Sequence, residues 1–359
     1  MNHRRARLSV VLMAAAGLAL TACTNPGDSG SSAAPTGTTG GDGQVVKSQA
    51  PGAGEGCTLE KNGAQKLDLK TAVVGFSQSE PDTAAFRAAE TASIKSAAEQ
   101  AGVKQLLVTN ANNELPKQIA DIQDLLNQGA QFLIVAPVNS DGLDPALAAA
   151  KAKGVPVLTI DRKVTNQACT DYVAFLGSDF FEQGKRAADA MNKATGGTGK
   201  VAILLGSSGN NVTDNRNAGF KEQLKQYPGL QIVAEQTGNF AREKGQQVAE
   251  QLLQANSEIT AIYAHNDEMG LGAVTAVTAT GKKPGEDVKI VSIDGTRNAV
   301  QAIVDGQINA VIESNPRFGP LAFETAQKFY NGEAIPENVI IEDDEYNKDN
   351  AAQNLGNAF

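Results

Sequence analysis

Apolar runs of strand length punctuate the chain at 72–76, 105–108, 132–136, 155–160, 173–176, 201–205, 230–233, 259–263, 288–293 and 308–312. Several are apolar throughout instead of alternating, the pattern of strands covered on both faces. Helical periodicity fills the gaps. Leu115, Ile119, Ile122 and Leu126 fall on one face of a helix, as do Val248, Leu252 and Ala255. Strand–helix alternation at this spacing predicts right-handed parallel crossovers, hence an α/β fold of doubly wound parallel sheets. Ten strands are wide for one sheet, so two α/β domains are expected.

A different pattern precedes these runs. Met1–Arg7 is basic and Leu8–Leu20 is mostly apolar, too short to span a bilayer and right for the apolar region of a secretory signal. The run ends in Leu20-Thr21-Ala22-Cys23, which resembles a bacterial lipobox, with cleavage before Cys23 and lipidation of its thiol; an ordinary signal with a nearby cysteine is the alternative. From Thr24 to Gly56, 24 of 33 residues are Gly, Ser, Thr, Pro or Ala. A segment of that composition cannot bury a core and is expected to act as a flexible tether. The protein is therefore expected outside the cytoplasm. That compartment permits a Cys57–Cys169 disulfide, two free thiols being the alternative.

Charge and motif content narrow the function. Lys and Arg number 31 against 40 Asp and Glu, so a nucleic acid or an anionic membrane surface is a poor partner. Only two histidines occur, His3 and His265, which argues against multi-histidine zinc sites and a Ser-His-Asp triad. No phosphate-binding loop, nucleophile elbow or HExxH string is present, and no cofactor or metal is expected. The acidic stretch Glu342–Asn350 reads as a solvated surface segment, a weak cation site being its other reading.

Polar residues cluster instead just past the strand runs, where open α/β sheets bind ligands. They include Ser77-Gln78, Asp161-Arg162, Asp214 and Arg216, Gly238-Asn239-Phe240, Asn266-Asp267 and Asp294-Gly295. Any single Asp or Asn there can be a helix N-cap; the set suits a small neutral polyol. Carboxylates accept from adjacent hydroxyls, Arg donates in a fork and Asn does both. Phe86 and Phe240 are placed either to cover a sugar face or to pack in a core. On this reading Arg162→Ala abolishes sugar binding and leaves thermal stability nearly intact.

Several strings then occur in order: Gly75-Phe76-Ser77-Gln78, Phe86-Arg87-Ala88-Ala89-Glu90-Thr91, Ala136-Pro137, Asp161-Arg162, Gly238-Asn239-Phe240-Ala241-Arg242, Tyr263-Ala264-His265-Asn266-Asp267-Glu268, Ser292-Ile293-Asp294-Gly295 and Asn315-Pro316. Together they resemble the type I periplasmic sugar-binding proteins of ABC importers, the ribose-binding family. The strings beginning at Phe76, Phe86 and Tyr263 are most similar to its galactofuranose-binding branch. The resemblance implies two α/β lobes joined by three crossovers, spanning 66–178 with 315–340 and 179–314 with 341–359. It also implies ligand-binding roles for Gln78, Phe86, Arg87, Asp161, Arg162, Arg216, Phe240, Asn266 and Asp294. Arg87, where ribose binders carry an aromatic, leans toward galactofuranose. The loop Ser79–Ala85 is about one residue longer than in that branch, Phe86 replaces a Trp, and 313–315 differ from the ribose binders. The implied function is hinge-closing capture of a neutral monosaccharide by a monomeric lipoprotein that delivers it to a membrane permease. A sugar sensor feeding a chemoreceptor remains open beside it.

Overall fold

The computed structural model describes residues 39–40, 44–48 and 56–359. The expected signal peptide 1–22, Cys23 and much of the expected tether lie outside the described residues. Two sheets carry the fold. The first contains β1 (Thr39–Gly40), β2 (Gln44–Ser48), β3 (Val73–Gln78), β4 (Gln105–Asn110), β5 (Phe132–Val135), β6 (Val157–Ile160), β7 (Ala174–Ser178) and β13 (Asn338–Glu342), in the order β1-β2-β13-β7-β6-β5-β3-β4. The second contains β8 (Gly199–Leu205), β9 (Leu230–Thr237), β10 (Ala261–Ala264), β11 (Lys289–Asp294), β12 (Ala310–Glu313) and β14 (Glu345–Asn347), in the order β14-β12-β11-β10-β8-β9. All pairings are parallel except those of β1 with β2, β2 with β13 and β12 with β14.

All ten apolar runs are strands, and the central ones are covered on both faces. Phe132 and Ile134 of β5 face one core while Leu133 and Val135 face another. In β10, Ile262 and Ala264 face one side and Ala261 and Tyr263 the other. The alternation follows from the two-residue period of a strand buried between helices. The helix Leu115–Asn127 buries Ile122 and Leu126, with Leu115 and Ile119 packed alongside. In the helix Arg242–Ala255 the buried stripe is Val248, Ala249 and Leu253, one step round from the expected Leu252 and Ala255.

The chain crosses between the sheets three times: after Ser178, after Glu313, and between Glu342 and Glu345. The third crossing lies beyond the boundary expected at 340. Two expectations need correction here. Residues 39–40 and 44–48, read as tether, form β1 and β2, with β2 paired to β13. The acidic stretch read as solvated is partly interior: Tyr346 is 2% exposed and Asp343 is buried against Ser178 and Gln183. Among the described residues no group of three or more His, Cys, Asp or Glu is placed to hold a metal ion, and no helix is long and apolar enough to cross a membrane.

Cys57 and Cys169 are disulfide-bonded, with Sγ–Sγ at 2.15 Å.

Candidate functional site

The first parallel core runs β4-β3-β5-β6-β7 and the second β9-β8-β10-β11-β12, so each reverses direction at its first strand. Beyond the carboxyl ends at that reversal lies the place where doubly wound sheets bind ligands. There, between the two lobes, lies a partly open cavity lined by Glu80, Ala84, Phe86, Arg87, Asp161, Arg162, Val212, Arg216, Phe240, Asn266 and Asp294. Eight of the nine expected ligand residues line it. Gln78 does not: its Nε2 donates to Glu90 Oε2 (2.9 Å) and Thr91 Oγ1 (3.1 Å), behind the cavity wall.

The first lobe supplies a guanidinium–carboxylate cluster. Arg87 Nη1 lies 2.8 Å from both Glu90 Oε2 and Asp161 Oδ2, and its Nε donates to Glu80 Oε2 at 3.1 Å. Arg162 Nη2 donates to Glu80 Oε1 at 2.7 Å, and its Nη1 to the carbonyls of Pro137 (3.3 Å) and Val138 (2.9 Å). Gln118 in turn holds that loop, donating to the Ala136 carbonyl and accepting from the Val138 amide. Arg162 Nε is buried without a hydrogen-bond partner, with Asp161 Oδ2 at 3.8 Å. The Arg87 guanidinium lies 5.0 Å from the Phe86 ring centre and that of Arg162 lies 5.9 Å from Phe240.

The second lobe answers with Arg216, Asn266 and Asp294. Arg216 leaves the helix Asn211–Leu224, whose approach to the helix Phe180–Thr195 requires glycine. A Cβ on Gly184 would meet the Arg216 carbonyl at 2.3 Å, and one on Gly219 the Phe181 carbonyl at 2.0 Å. Arg216 Nη1 donates to the His265 carbonyl (2.6 Å), and Nη2 lies 3.6 Å from Asp294 Oδ1. Asn266 is both N-cap and cavity wall: Oδ1 accepts from Met269 N (3.0 Å) and Nδ2 donates to the Phe240 carbonyl (3.1 Å). Asp294 is held by its neighbours' bonds to the buried Asp267, whose Oδ2 accepts from the amides of Gly295 (2.9 Å) and Thr296 (2.7 Å). Asp161, Phe240 and Asp294 adopt φ of 61°, 58° and 145°, strained for non-glycine residues and concentrated at the cavity.

The lobes touch across the cleft. Ser140 N donates to the Gly209 carbonyl (2.9 Å), Lys163 N to Asn211 Oδ1 (3.0 Å), and Phe86 meets Phe359 edge to face at 5.9 Å. This is a closed arrangement.

Glu80 was not anticipated as a cavity residue. Burial pushes its carboxyl up, but Arg162 and Arg87 outweigh that and hold it at about 2. Glu90 goes the other way: burial raises it to about 7 despite Arg87. Burial also raises Asp267 to about 6, Asp343 to about 7 and Asp294 well above the usual range; Arg216 offsets the last only in part, and Asp267 and Asp161 add to it. Burial and the neighbouring Arg216 keep His265 neutral. A carboxyl raised by folding binds its proton more tightly in the native state. Its stabilising contribution is complete below its unfolded pKa of about 4 and is lost as pH rises through its native value. Glu80, lowered, loses its contribution only as pH falls toward 2. His265, held neutral, works the other way below its unfolded pKa of about 6.5. Four raised carboxyls outweigh one imidazole, so the unliganded protein is expected to melt higher at pH 5 than at pH 8, as a thermal-shift series would read; a melting temperature rising over that range contradicts the assignment.

Comparisons with known proteins agree with this geometry. Residues 74–334 match the periplasmic binding protein domain. The galactofuranose-binding protein YtfQ of Escherichia coli is 34% identical over 272 residues, 75% of this chain and 85% of that protein. The ribose import binding protein RbsB of Bacillus subtilis is 36% identical over 247 residues, 68% and 78% of the two chains. A Mycobacterium smegmatis crystal structure in complex with β-D-fucofuranose superposes with a TM-score of 0.76 at 39% identity, covering 80% of this chain and 95% of that one. The chain belongs to the periplasmic binding protein family, among type I members that bind sugars rather than transform them.

Proposed function

We propose that the chain is the substrate-binding lipoprotein of a carbohydrate ABC importer, closing on a neutral monosaccharide in furanose form and delivering it to a membrane permease. The observation that carries this reading is the cleft itself: Arg87, Asp161 and Arg162 on one lobe face Arg216, Asn266 and Asp294 on the other. Guanidinium forks donate to ring and hydroxyl oxygens, carboxylates accept from hydroxyl pairs, and Phe86 and Phe240 cover apolar C–H faces. The named ligands of the relatives, galactofuranose and β-D-fucofuranose, support a five-membered ring. The lipid anchor rests on the Leu20–Cys23 string alone.

A ligand that bonds to both lobes stabilises the closed state by its differential affinity for that state. Hydrogen bonds to charged groups contribute about 1.5–3 kcal/mol each. Four or five of them offset the costs of association and closure and leave binding near micromolar, about −8 kcal/mol. The test is a thermal-shift screen followed by calorimetry with D-galactose, D-fucose, L-arabinose and D-ribose equilibrated among their ring forms, beside their phosphates and uronates. Neutral sugars are expected to raise the melting temperature and the anionic ones to leave it unchanged. A flat response to every neutral sugar overturns the proposal.

A further inference from the structure

The three crossings between the lobes meet at one buried side chain, Gln183, near the start of the helix Phe180–Thr195. Its Nε2 donates to Asp343 Oδ2 at 2.8 Å, on the third crossing, and to the Glu313 carbonyl at 3.2 Å, on the second. Asp343 Oδ1 accepts from Ser178 Oγ at 3.0 Å, on the first. The remaining polar atom of Gln183, Oε1, accepts from Arg216 Nε at 3.0 Å. Both donor directions of the amide are thus committed to the hinge, and its oxygen accepts from a guanidinium that lines the cavity. Both Gln183 and Arg216 are almost wholly buried, so a lost partner is costly.

We infer that Gln183 is a positioning residue that ties the hinge to the cavity, setting Arg216 for the ligand only while the closed arrangement of the three crossings is in place. Hinge motion concentrates in a few residues at the crossings. Rotation there separates Ser178, Glu313 and Asp343 from one another, and the amide that bridges them turns with it. Arg216 Nε then loses its acceptor, and the fork that Nη1 and Nη2 present beside Asp294 loses its fixed plane. Asp343 faces Glu313 and Arg186 besides Gln183 and Ser178, so the hinge carboxyl has both a like and an opposite charge around it. The adjacent Gly184, packed against the Arg216 backbone, keeps the two helices close enough for the bond.

This inference rests on the proposed sugar-binding role of Arg216, and its test separates the two. Calorimetry with the sugar panel is run on the wild type, on Gln183→Met, which roughly keeps the volume of the side chain, on Arg216→Lys, and on the two combined. Wild type that binds no sugar overturns the functional reading and the relay with it. Given wild-type binding, Gln183→Met is expected to weaken affinity about tenfold, and by less than twofold once Arg216 is already Lys, because its effect passes through the guanidinium. A purely structural Gln183 gives the same loss in both backgrounds, or none in either, and either result overturns the relay. Asp343→Leu, which cuts the same amide from the hinge side, is expected to show the same dependence on Arg216. It decides the matter independently if Gln183→Met does not fold.

Discussion

Arg162→Ala is expected to abolish measurable sugar binding and also to lower the melting temperature of the unliganded protein. The sequence reading expects the first effect with thermal stability nearly intact, and the structure corrects the second half. Arg162 is 2% exposed, its Nη1 serves two backbone carbonyls and its Nη2 pairs with Glu80. Truncation leaves the Pro137 and Val138 carbonyls without that donor and Glu80 with only Arg87. Orphaning buried acceptors costs about 1–3 kcal/mol each, and Glu80, part-exposed, recovers some of its loss in water. A net loss on the order of 2–3 kcal/mol follows, or roughly 5–10 °C. Removing one partner of a desolvated charged contact costs binding about 2–5 kcal/mol, at the upper end several thousandfold. Calorimetry and a thermal melt on the same sample read both. A variant that melts like wild type shows the carbonyls to be satisfied by solvent, and a variant that still binds removes Arg162 from the site.

The inner strands were legible because burial on both faces leaves little polar in them; β5 reads Phe-Leu-Ile-Val with all four residues buried, while the edge strands β4 and β9 showed only through short apolar runs. The cavity was legible because the fold places strand carboxyl ends together: six residues singled out for following a strand line it, Phe86 was noted as an aromatic, and Arg87 came with the family resemblance alone. What escaped the sequence lacks periodicity. The strand β14 is Glu-Tyr-Asn, three residues of which only Tyr346 is buried, inside a run whose charge reads as solvated. Asp343 is interior because a crossing has to pass there, not because its neighbours are apolar. Gln78 ends β3 in the expected place, but its side chain turns to Glu90 and Thr91 and supports Arg87 from behind. Glu80 sits in an aperiodic loop; the signal for it was an acid two residues past the strand end. Nothing in the string around Gln183 marks it, since its side-chain partners come from residues 216, 313 and 343.

Removing the Cys57–Cys169 disulfide, by alanine at both positions or by reductant, is expected to cost the fold far more than it costs the site. The bond closes a loop of 112 residues. Constraining the unfolded chain over that span stabilises the native state by about 4–5 kcal/mol on a chain-entropy account. Noncovalent ties return part of it. Cys57 exchanges backbone hydrogen bonds with Ile335 (2.6 and 2.9 Å), Cys169 N donates to the Tyr172 carbonyl (2.6 Å), and Asn62 Nδ2 donates to the Cys169 carbonyl (3.1 Å). The tethered segment therefore stays docked in the native state, while the unfolded state gains its freedom. The bond lies beside the start of β7, whereas the cavity lies past the carboxyl ends of the same strands, so the sugar contacts are untouched. The expected result is a fall in melting temperature of about 8–15 °C, with sugar affinity at 20 °C changed less than twofold. A large loss of affinity in the reduced protein, with melting unchanged, would reverse both halves of that expectation and make the bond a determinant of lobe closure instead of an anchor at its far end.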